Sequence, residues 1–194
     1  WNSAVSSAPT DQTVSLASTE GLYRETRTTT VTAPPELTFN TIARLGGDTG
    51  WLYGDTLWRL RGWIDQLFGG IGFRQGRRDE ARLRVGDAVD FWRVEALEPG
   101  RLLRLRAEMQ LPGRAWLQFN VRPSEDEPAH SQITQTIFFE PKGLGGTMYW
   151  ALVRPIHGLL FSGLLRELAT WIEDRDPEAP DFVPTDSPLA EMQE

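Results

Sequence analysis

Two short pairs of residues have the types and spacing to hold a small molecule: Asp90 with Trp92 in Asp-Phe-Trp, and Trp116 with Gln118 in Trp-Leu-Gln. In an extended strand, residues two apart share a face. If those faces look inward, a hollow gains aromatic walls and two polar handles, a carboxylate and an amide. If they look outward, Phe91 and the pair Leu117 and Phe119 fill the core instead. Val94 and Ala96 share the Trp92 face, while Arg93 and Glu95 share the other. That pattern favours Trp92 inward. A third candidate is His157, two residues after Pro155 in the last apolar segment. An imidazole beside a helix kink could line a hollow and act as a base; the plainer reading is a packing or surface residue.

Other chemistries find little footing. The chain has two histidines, His130 and His157, and no cysteine. Without a Glu-x-x-His pattern or a thiolate these make no metal site, and none is expected. No Gly-x-Ser-x-Gly elbow is present, so no hydrolase triad is expected and no catalytic set is assigned. Ser162 precedes Gly163 where small residues allow close packing. Gly69 to Gly76 lacks the Gly-x-Gly-x-x-Gly spacing and follows a helical segment, so no dinucleotide cofactor is expected. Arg74, Arg77, Arg78, Arg82 and Arg84 form a basic run broken by Asp79 and Glu80. Such a run could seat an anionic group or a cofactor phosphate, but mixed charge is ordinarily a solvated segment.

Composition narrows the class. The 194 residues are 40% hydrophobic, enough for a sizeable core, and eight are Trp. A formal net charge of −7 argues against nucleic acid and anionic membrane surfaces as partners. The absence of cysteine fits a reducing, cytoplasmic setting. The chain begins at Trp1 with no basic-then-apolar leader, and reads as an excised piece of something longer.

The elements that must position these residues follow from periodicity. Residues 1–20, rich in Ser, Thr and Ala, read as a linker or N-terminal arm, and residues 176–194 as an acidic, Pro-rich tail, leaving one folded domain over 21–175. Tyr23 to Thr32 is a Thr-rich strand. Pro34 and Pro35 open a short helix that Gly46 and Gly47 stop. Asp55 caps a second helix carrying Leu57, Leu60, Ile64, Leu67 and Phe68 on one face. Four strands then alternate with turns: Asp87 to Leu97, Arg101 to Met109, Arg114 to Val121 and Gln132 to Glu140. Gly146 to Glu173 keeps a helical repeat through Met148, Tyr149, Leu152, Ile156, Leu159, Leu160, Leu164, Leu168 and Ile172, with a kink or break predicted at Pro155. Its charges make it a poor membrane span. A sheet can cover so wide an apolar helix only by gripping it, so the expectation is an α+β fold, a curved antiparallel sheet around a long C-terminal helix, with a hollow between them.

The blocks VGDAVDFWRVEALEPGRLLRLRAEM, LPGRAWLQFNV and TQTIFFEPKGLGGTMYWALVRPIHGLLFSGLL resemble the DUF2867 family over roughly residues 20–170. The resemblance implies a START-like helix-grip domain (the polyketide cyclase, or SRPBCC, superfamily). It also implies a usual place C-terminal to a Rossmann-type, short-chain-dehydrogenase-like NAD(P)-binding domain. It carries no settled activity and no catalytic residues. The expected function is binding of a small, mainly apolar organic molecule, as a module of a larger oxidoreductase-like protein, with Asp90, Trp92, Trp116, Gln118 and His157 as ligand-binding residues. One rival is a cyclase or dehydratase using Asp90 or His157 for proton transfer. The other is an interaction domain that packs on a Rossmann partner or a second copy. The first two readings predict an enclosed pocket; the third predicts a filled interior and an exposed apolar patch.

Overall fold

The computed structural model describes residues 13–19, 21–53, 77, 79, 82–127 and 129–174, with backbone alone for 13–19 and 48. The helix expected from Asp55, the Gly-rich stretch 69–76 and the acidic tail lie outside the described residues.

Seven strands form one antiparallel sheet: β1 (Thr13–Thr19), β2 (Leu22–Val31), β3 (Ala88–Val89), β4 (Trp92–Glu98), β5 (Leu102–Ala107), β6 (Gly113–Pro123) and β7 (Ser131–Pro141). Their spatial order is β1-β2-β7-β6-β5-β4-β3. The meander β3 to β7 arises because each strand returns through a short turn. β2 then closes on β7 from the other side. Part of the segment read as a linker or arm is thus an edge strand, with Thr13 to Thr19 pairing along Thr28 to Leu22.

Among the described residues two α-helices lie against one face, α1 (Pro35–Ile42) and α2 (Gly143–Glu173). Pro35 stands at the first helical position, where a missing N–H costs nothing. The Phe39 and Ile42 side chains of α1 are fully buried. Helix α2 continues through Pro155 without a break, so the predicted interruption is at most a bend. Its N-terminal end is seated by Gly146, whose absent side chain lets the helix approach the Pro112 carbonyl and Pro141. Sheet and helices make two layers around one core, the α+β helix grip expected from the sequence. Among the described residues no helix is long and apolar enough to cross a membrane.

The inner sheet face follows period-two alternation along β5 and β6. Leu105 stands opposite Leu117, and Leu103 opposite Phe119, all at most 2% exposed. Trp92 and Val94 join them, as expected. Ala96 does not: a bulge between Val94 and Ala96 turns it to the outer face opposite Arg104, and brings Leu97 against the core opposite Leu103. The segment 87–97 is also not one strand. Ala88 pairs with Arg93 and Val89 with Trp92, so Asp90 and Phe91 form a two-residue hairpin turn. Asp90 sits at φ 55°, in the left-handed region that Asp tolerates.

Candidate functional site

The hollow between sheet and α2 is walled mostly by rings. Trp92, Ala107, Ala115, Ile137 and Phe139 line it from the sheet. Tyr149, Trp150, His157 and Phe161 close it from α2, with Met109 and Leu111 at the rim. Trp150 stacks on Phe139 at 5.1 Å and on Tyr23 at 5.7 Å between centroids. His157 stands edge-on between Trp150 and Phe161, 5.6 Å from each. Trp92 packs against Trp51 and Phe91, and its indole N–H makes no hydrogen bond among the described residues. The cavity measures about 30 Å³, room for little more than a water. Sites for small organic ligands usually hold about 300–1,000 Å³, so one can enter only if a wall moves.

The first half of α2 is the wall with least to hold it. Between Gly143 and Leu159 only Gly146 and Trp150 are buried, whereas eight of the thirteen residues from Leu160 to Ile172 are. Pro155 offers no N–H to the carbonyl one turn back, which removes a rung of the helix there. Along the outside of this half run Leu144, Met148, Leu152, Ile156 and Leu159, each 57–84% exposed. The sequence pattern had assigned four of these to the buried stripe. Leu144, Met148, Leu152 and Ile156 are spaced at i, i+4 and Leu159 follows three residues on, so they form one exposed stripe along the helix. The structure therefore combines an aromatic-walled but nearly filled interior with an exposed apolar ridge.

Beside the cavity lies a polar cluster that the sequence reading missed. Glu25 and Arg27 of β2 and Gln135 of β7 point to the inner face, at 4%, 1% and 0% exposure. Arg27 and Gln135 are directly opposed across the strand pair, and Glu25 opposes the cavity residue Ile137. The Arg27 guanidinium is ion-paired with Glu25. Its Nε donates to Ser162 Oγ at 2.9 Å and its Nη2 to the Gly158 carbonyl at 3.3 Å, both on α2. Arg27 Nη1, Glu25 Oε2 and both amide atoms of Gln135 make no hydrogen bond among the described residues. The signal was parity: Glu25 and Arg27 share alternation with Tyr23 and Val31, and Gln135 sits between Ile133 and Ile137. Thr-rich neighbours masked it.

The remaining expected site residues separate. Asp90 is 1% exposed. Its carboxylate accepts the Trp51 indole N–H at 2.9 Å and the Gly47 backbone N–H at 3.1 Å. It fixes a loop rather than reaching the cavity. Trp116 and Gln118 alternate with buried Leu117 and Phe119 and so belong to the outer face. Trp116 donates to Glu95 at 3.1 Å, and Gln118 accepts from Arg104 at 2.8 Å. With Leu22, Phe138 and Glu140, Trp116 borders an open hollow of about 440 Å³ there, and it also touches the margin of the inner cavity. Trp92 and Trp116 therefore do not share a face. Of the basic run, Arg77 donates to the Ala43 and Leu45 carbonyls past the end of α1, a structural use. His130 meets Glu127 in the β6–β7 loop. Among the described residues no cluster of His, Asp or Glu could hold a metal ion.

A family model described as a protein of unknown function, DUF2867, matches residues 19–164. Among solved structures, CalU16 from Micromonospora echinospora is similar at 10% identity, with 87% of each chain covered and a TM-score of 0.48. Norcoclaurine synthase from Thalictrum flavum aligns at 10% identity over 84% of this chain and 99% of its own, with a TM-score of 0.49. The Zhui aromatase/cyclase from Streptomyces sp. R1128 aligns at 15% identity over 79% of this chain and 97% of its own, with a TM-score of 0.42. No curated protein sequence matches the chain.

Proposed function

The chain belongs to the DUF2867 family, and from that premise we propose that it binds a small, mainly apolar organic molecule between the sheet and α2, as a module of a longer NAD(P)-binding, oxidoreductase-like protein. The observation that carries the reading is the aromatic-walled cavity closed by the poorly buried half of a helix. Aromatic walls favour an apolar guest, and the Trp92 N–H offers it one donor. Trp92 and His157, with Trp116 at the margin, are then the expected site residues that border this cavity. In the rival cyclase or dehydratase reading, proton transfer falls to His157, since Asp90 is held by Trp51 and Gly47. Native mass spectrometry of the purified chain tests the reading. A co-purifying small molecule, or displacement of an apolar dye by one, supports it; a chain that carries none and binds no dye overturns it.

A specific observation favours a second reading. The Leu144–Leu159 ridge is an exposed apolar surface of the kind that marks interaction sites. It suits packing on a Rossmann-type domain of the same longer protein. Expression with and without such a domain decides it: the ridge residues gain protection from hydrogen exchange only in the longer protein if the reading holds.

A further inference from the structure

Glu25, Arg27 and Gln135 are three polar side chains placed side by side on the inner sheet face and sealed under α2. Burying hydrogen-bonding groups without partners is costly, about 1–3 kcal/mol for each, so proteins rarely do it without a use. The unmet groups are a matched set. Arg27 Nη1 and the Gln135 amide nitrogen are donors; Glu25 Oε2 and the Gln135 amide oxygen are acceptors. The cluster also adjoins the cavity by two routes. His157 and Phe161 line the cavity, and the next residue after each, Gly158 and Ser162, accepts from Arg27. On the sheet, Ile137 lines the cavity and stands opposite Glu25.

Resting on the ligand reading above, we propose that Glu25, Arg27 and Gln135 form the polar end of the binding site and seat an uncharged hydroxyl group of the ligand. The charge of the group follows from the ion pair. Arg27 and Glu25 already neutralise one another. A carboxylate or phosphate would place a second anion beside Glu25, and an ammonium a second cation beside Arg27, each buried without a counter-charge. A hydroxyl donates once and accepts twice, so it can donate to Glu25 Oε2 and accept from Arg27 Nη1 and the Gln135 amide. The ligand class is therefore an apolar body ended by an alcohol or phenol. As α2 yields at its first half, the guest's apolar part occupies the ring-walled cavity and its hydroxyl meets three of the four unmet groups, all but the Gln135 amide oxygen.

Three matched probes test this: 2-naphthol, naphthalene and 2-naphthoate, with affinity read from the fluorescence of probe and tryptophans. The wild-type chain is expected to prefer 2-naphthol over naphthalene by about tenfold or more, the worth of one or two buried hydrogen bonds. Naphthoate should bind no better than naphthalene. Glu25→Leu with Arg27→Met removes the pair together; replacing a buried ion pair by apolar groups of like volume commonly preserves folding. That double variant, and Gln135→Leu as an independent one, should each lose the naphthol preference while keeping naphthalene. Equal binding of naphthol and naphthalene to the wild-type chain, tighter binding of naphthoate, or an unchanged preference in both variants overturns the hydroxyl site and leaves the ligand reading standing. No binding of any probe overturns the ligand reading, and the hydroxyl site falls with it.

Discussion

The Asp90 carboxylate accepts the Trp51 indole N–H at 2.9 Å across 39 residues of chain. Both residues are at most 1% exposed, and Asp90 takes a left-handed backbone conformation to make the contact. The bond joins the loop after α1 to the β3–β4 hairpin and sets the ring stack Trp51, Phe91 and Trp92 behind the cavity. Asp90→Ala should therefore lower stability by about 2–4 kcal/mol, since it strands buried donors and a strained turn. Asp90→Asn keeps an acceptor and tolerates the same φ, so it should cost clearly less. Urea unfolding monitored by tryptophan fluorescence reads both; equal effects would show that neither the neutral acceptor nor the turn preference that Asn shares with Asp supplies the stability.

Trp92 and Trp116 should behave oppositely. Trp92 is 4% exposed among rings, so Trp92→Ala should cost about 3–5 kcal/mol. Trp92→Phe retains most packing but removes the unpartnered N–H, and should fold while weakening ligands that carry an acceptor. Trp116 lies on the outer face with one hydrogen bond to Glu95, and Trp116→Ala should cost about 1 kcal/mol or less. Melting curves of the three variants give the order directly.

Filling the cavity should separate folding from binding. Ala107 lines the hollow beside Trp92. Ala107→Leu places apolar volume there, so the chain should stay folded, with stability changed by no more than about 1–3 kcal/mol, and lose affinity for an apolar dye. Undiminished dye binding would locate the dye elsewhere, with the open outer hollow as the first place to look.

Adjacent glycines at the start of α2 should differ in sign. A Cβ on Gly146 would stand 2.3 Å from the Pro112 carbonyl oxygen and 2.9 Å from Pro141. Gly146→Ala must lift the helix end off the sheet, and should lower the melting temperature and admit dye more readily. Gly145 has open space, so Gly145→Ala should be neutral or stabilise by up to about 1 kcal/mol through helix propensity.

Charging the ridge should leave the fold untouched. Leu152→Glu and Ile156→Glu replace side chains 77% and 57% exposed. Each should change stability by about 0.5 kcal/mol or less. If the ridge is a docking surface, the pair together should abolish association with a Rossmann-bearing partner, as read by analytical ultracentrifugation.

Much of the fold was legible because periodicity is a local property. The alternation of Leu103, Leu105 and Ala107 against Arg104 and Arg106, the Pro-Gly turns and the long run from Gly146 to Glu173 define strands and a helix without reference to anything distant. The order of those elements then left the helix grip as the simplest way to bury them.

Sidedness and the site were a different matter. Residues 116 to 119 alternate equally well with either parity inward, and only the pairing of Leu117 with Leu105 and Ile137 turned Trp116 and Gln118 outward. The bulge after Val94 and the turn at Asp90 broke period two where the sequence reading extended it. Nothing local to Arg27 marks it as buried: β7 sets Gln135 opposite it and α2 lays Ser162 across it, 135 residues away in the chain. The sequence by itself determined which segments become strand or helix, since that depends on backbone preference and spacing within a few residues. Which face is buried, and which polar groups are left without partners there, depends on the free energy of contacts between distant segments, and only the tertiary structure decided it.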